Sequence, residues 1–70
     1  MKEFVIWGIP KGQNDEAILL SKFDGKPIVR YELAQNLVTI LKDKYECKAV
    51  RIQELNLTDN VLDFKHTINF

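Results

Sequence analysis

Apolar and polar positions alternate with different periods along this chain, and the changes of period mark its elements. Residues 3–9, Glu-Phe-Val-Ile-Trp-Gly-Ile, form a β-prone run too short for an independent helix. Phe4 and Ile6 fall on one face of such a strand, and Val5, Trp7 and Ile9 on the other. A strand apolar on both faces is normally central and covered on both sides. Pro10 stops it, because proline cannot donate to a ladder, and residues 11–15 read as a connection rich in turn formers. Residues 16–23, Glu-Ala-Ile-Leu-Leu-Ser-Lys-Phe, predict a second strand, although Ala and Leu tolerate a helix. Asp24-Gly25 is a turn signal, and the short link favours an antiparallel hairpin with the first strand.

The 3.6-residue period appears once. From about Val29 to Tyr45, residues Leu33, Ala34, Leu37, Val38, Leu41 and Tyr45 recur at three- and four-residue intervals, and Ile40 widens the stripe. Glu32 near the start and Lys42 and Lys44 near the end suit the helix dipole. Residues 26–29 either finish a strand or open this helix. Residues 48–57 predict a third strand, with Val50, Ile52 and Glu54 on one face and Ala49, Arg51, Gln53 and Leu55 on the other. Thr58-Asp59-Asn60 reads as a turn. Residues 61–70 alternate weakly through Leu62, Phe64, Thr67, Ile68 and Phe70, as an edge strand or a docked tail.

The order β-β-α-β, with a possible fourth strand, predicts a two-layer α+β fold: a small, mostly antiparallel sheet of three to four strands packed against one helix. Residues 1–70 read as one domain. A single helix covers only one face of a sheet. The first strand, apolar on both faces, therefore needs a second cover, and the alternatives are a symmetric homodimer or the tail folded back.

Composition narrows the classes. The chain is 46% hydrophobic, which suits a globular core, but a domain of 70 residues has a thin margin of stability. Ten basic residues balance ten acidic ones, without the surplus that non-specific grip on nucleic acid needs. Cys47 is the only cysteine, so no internal disulfide forms, as in a reducing compartment. The short apolar run at the N-terminus, broken by Gly8 and Pro10, predicts neither a signal peptide nor a membrane span. The expectation is a cytoplasmic protein with no membrane partner.

Candidate chemistry is sparse. Cys47 and His66 are the only soft or imidazole ligands, nineteen positions apart, so neither a metal site nor a Cys-His nucleophile is expected. Gly8, Gly12 and Gly25 make no phosphate loop. The expectation is no cofactor, no metal and no enzymatic activity. A sheet carrying Phe4, Trp7 and Phe23 near Lys2, Lys11, Lys22, Lys26 and Arg51 could stack single-stranded bases, but the same aromatics serve any small core.

The most distinctive stretch is Trp7-Gly8-Ile9-Pro10-Lys11-Gly12. With this W-G-I-P-K-G segment closing its first strand, the chain resembles small uncharacterised proteins encoded by bacteriophage genomes. The Val-Arg-Ile-Gln strand and the Asp63-Phe64 tail are similar in a looser way. The resemblance implies a viral accessory protein acting in the cytoplasm of a bacterial host, and it carries no functional residues across. The reading is a small non-enzymatic protein-interaction module, homodimeric and acting on an unidentified protein such as a host factor. Its alternative is a small single-stranded nucleic-acid binder using the sheet face. Trp7, Lys11 and Arg51 are the candidate binding residues.

Overall fold

A computed structural model describes residues 2–58 and 61–69, with side chains through residue 56. The elements run β1 (Lys2–Gly8), β2 (Ala17–Leu20), β3 (Lys22–Phe23), β4 (Lys26–Pro27), α1 (Tyr31–Lys44), β5 (Val50–Thr58) and β6 (Val61–Asn69). Four strands make one antiparallel sheet in the order β2-β1-β5-β6, and β3 and β4 form a separate hairpin. One helix on this sheet is the two-layer α+β architecture that the periodicities predict.

The first strand is central because it buries both faces. Phe4 and Ile6 join Val50 and Ile52 of β5 beneath Ala34, Leu37, Val38 and Leu41 of α1, with Ile28 completing the core. Val5, on the opposite face, is buried as well but lies outside the cluster that the helix closes. The register sets Val5 against Gln53, Trp7 against Arg51 and Glu3 against Leu55 on that second face.

The second predicted strand is divided. Between its pairings Ile6↔Leu20 and Trp7↔Ile18, β2 holds Leu19 as an extra residue, a β-bulge. Leu19 and Leu20 both pack towards the core, so the two-residue alternation is lost and the strand ends there. Lys22 and Phe23 pair instead with Pro27 and Lys26 around Asp24-Gly25, where both residues take positive φ. Residues 26–29 finish a strand rather than open the helix. Ile28 bridges Phe4, whose N–H donates to the Ile28 carbonyl at 2.7 Å, and its side chain is fully buried.

The helix begins at Tyr31, after an extended Arg30, and ends in a left-handed turn. Glu46 has φ 49, the Glu46 N–H donates to the Asp43 carbonyl, and the Cys47 N–H donates to the Lys42 carbonyl. This is the Schellman arrangement with glutamate where glycine is usual. Ile40 does not widen the buried stripe. It is 60% exposed, on the side of α1 away from the core.

Residues 61–69 run beside β5 in the plane of the sheet as its edge strand, so this backbone does not fold back over the open face. Lys65 is the extra residue of a second bulge, between the pairings Glu54↔His66 and Leu55↔Phe64. The turn expected at Asp59-Asn60 and the side chain of His66 lie outside the described residues. Among the described residues no helix is long and apolar enough to cross a membrane.

Candidate interaction face

The face of the sheet opposite α1 is organised by cross-strand rows. Ile18, Trp7 and Arg51 form one row across β2, β1 and β5; Val5 and Gln53 form the next, and Glu3 and Leu55 the third. Among the described residues no element packs on it. Trp7 is only half buried, and Ile18 is 53% exposed.

The indole N–H and the cation over the ring are both engaged. The indole Nε1–H donates to Gln53 Oε1 at 2.8 Å. The Arg51 guanidinium lies over the ring, its carbon 5.0 Å from the centroid, in cation–π contact. Arg51 then spends its fork on Glu16: Nε and Nη2 each donate to one carboxylate oxygen at 2.6 Å. These bonds hold the Glu16 carboxyl below its ordinary pKa and raise that of Arg51, against an opposing pull from burial. The result is a fixed aromatic anchor with a neutralised cation across it.

Two of the three candidate binding residues thus meet, and Lys11 stands apart. Its ammonium lies 3.6 Å from Glu46, both side chains exposed, and its N–H donates to the Tyr45 carbonyl beyond the helix end. Sequence reasoning did not single out Glu16, Gln53 or Ile18 as partners of Trp7. Their adjacency follows from register, and residues 7 and 53 are 46 positions apart.

The Trp7–Gly12 segment has a structural reason at each position. A Cβ on Gly8 would stand 2.6 Å from Leu19 Cδ1 and 3.2 Å from the Ala49 carbonyl oxygen, so any side chain here must push Leu19 aside and crowd that carbonyl. Ile9 extends the pairing with β5, its N–H donating to Ala49 and its carbonyl accepting from Lys48. Pro10 and Gln13 close a turn (Gln13 N–H to the Pro10 carbonyl, 3.1 Å) in which Gly12 takes φ 83.

Elsewhere, a groove of about 480 Å³ beside α1 is lined by Val38, Thr39, Lys42, Asp43 and Cys47. It sets the unpaired, half-buried Cys47 thiol beside one lysine and one aspartate, with no imidazole among the described lining residues. Among the described residues no three His, Cys, Asp or Glu side chains converge as metal ligands. No protein-family model, curated protein or solved structure matches this chain.

Proposed function

We propose that this chain is a small non-enzymatic protein-interaction module that binds through the sheet face opposite α1. One observation carries the reading: the indole N–H is bonded to Gln53 and the Arg51 guanidinium to Glu16, while the indole ring and Ile18 remain accessible. A site for a polar substrate or a nucleotide needs donors and acceptors held ready for it. A protein contact needs an aromatic anchor that can lose its water without orphaning a polar atom, and Trp7 bonded to Gln53 meets that condition.

The same geometry disfavours base stacking at Trp7. The ring face under Arg51 is occupied, and the Arg51 charge is matched by Glu16 rather than offered to a phosphate. The resemblance of residues 7–12 to bacteriophage proteins directs the search for a partner to a bacterial lysate, in keeping with an accessory protein of the host cytoplasm. The test is capture from such a lysate with and without nuclease. Capture that survives nuclease and is lost in Ile18→Glu is expected. Tight, steeply salt-dependent binding to single-stranded DNA or RNA, lost in Trp7→Ala, would replace this reading with the nucleic-acid one.

A further inference from the structure

We infer that the occupant of this face is a second copy of the chain, two sheets packing face to face about a two-fold axis. The inference rests on reading the face as an interaction surface and names its resident partner, which a protein captured from a lysate would have to displace. Both sheet edges are poor templates for strand addition, because β2 carries the Leu19 bulge and β6 the Lys65 bulge. The helix side is already packed. The open face is therefore the surface on which a sheet of this kind can add a layer, as sandwich folds do within one chain.

Charge permits self-association. The chain has zero formal net charge, and on the face Arg51 and Glu16 neutralise each other within one copy. The Arg51–Glu16 pair of one copy therefore does not set a bare charge against that of the other. Area agrees. A four-stranded face measures about 19 by about 24 Å from strand spacing and rise. Two such faces bury on the order of 1,000 Å², the lower end of specific interfaces, where micromolar affinity is typical.

Two exposed isoleucines on opposite sides of the molecule make the test. Sedimentation equilibrium at ~100 μM, above a micromolar Kd, should give about twice the 8.2 kDa of the chain, with a melting temperature that rises with concentration. Ile18→Glu should return the single-chain mass with an unchanged far-UV spectrum, and Ile40→Glu should remain dimeric. A single-chain mass for the parent protein overturns the dimer, as does dissociation by Ile40→Glu but not by Ile18→Glu. If the parent is monomeric and Ile18→Glu still abolishes lysate capture, only the occupant was wrong. If capture survives Ile18→Glu, the interaction reading falls with it.

Discussion

The two hydrogen bonds that Glu16 accepts from Arg51 give the interaction face a titration that can be followed. Because the folded-state pKa of Glu16 is lowered, its contribution to stability is complete above the ordinary value of 4.5 and is lost as pH falls through the lowered one. The stability gap between the parent and Glu16→Gln should therefore be constant near neutrality and close on acidification. A gap in urea midpoint that persists below that range would assign the effect to packing instead. Gly8 makes a steric prediction. Leu19 can turn its methyl away from a new Cβ but the Ala49 carbonyl is tied into the ladder, so Gly8→Ala should cost about 1–3 kcal/mol by denaturant unfolding. Cys47 has no imidazole beside it among the described groove residues, and Cys47→Ser should keep both fold and partner capture.

At the scale of elements, the helix was the most legible part of the chain. Ala34, Leu37, Val38 and Leu41 recur at the helical period and all four are buried. Leu37→Ala or Leu41→Ala should each cost about 2–5 kcal/mol, read as a shift in thermal or urea midpoint, while Glu32→Ala and Gln35→Ala on the solvated side should change little. The helix end offers a gain. Replacing Glu46, at φ 49, by glycine relieves a left-handed backbone that costs an L-residue about 1–2 kcal/mol, and its exposed pair with Lys11 is worth less. Glu46→Gly should raise stability by up to about 1 kcal/mol in the same assay. The second strand was legible only in part, because a bulge inserts one residue without changing composition. Ala-Ile-Leu-Leu reads alike whether Leu19 continues the alternation or breaks it. Ile40 misled for a related reason: it falls at helical spacing from Leu37 and Leu33 yet lies on the exposed side of α1, and periodicity has no sharp edge.

The whole molecule shows why the face was harder to read than the fold. Strand types follow from local pattern, whereas Trp7, Glu16, Arg51 and Gln53 become neighbours only through pairing between strands distant in sequence. The apolar excess of the first strand was visible beforehand, but the stack of Arg51 on Trp7 that partly shelters it was not. Zero net charge also has a bulk consequence: solubility should be lowest near the isoelectric point of about 6.5 and rise on either side of it. The strand order carries a consequence for how the chain comes to be folded. β1 can pair early with β2, its neighbour along the chain, and α1 can form by itself, but the sheet closes only when β5 docks on the other edge of β1. That step joins Lys2 to Asn56 and must close most of the chain into one loop, which makes it slow relative to hairpin or helix formation. During synthesis, Phe4, Val5 and Ile6 emerge well before Ile52, Gln53 and their neighbours and wait for them before they are covered. That interval is when the chain is most open to chaperones and to misassociation with other nascent chains.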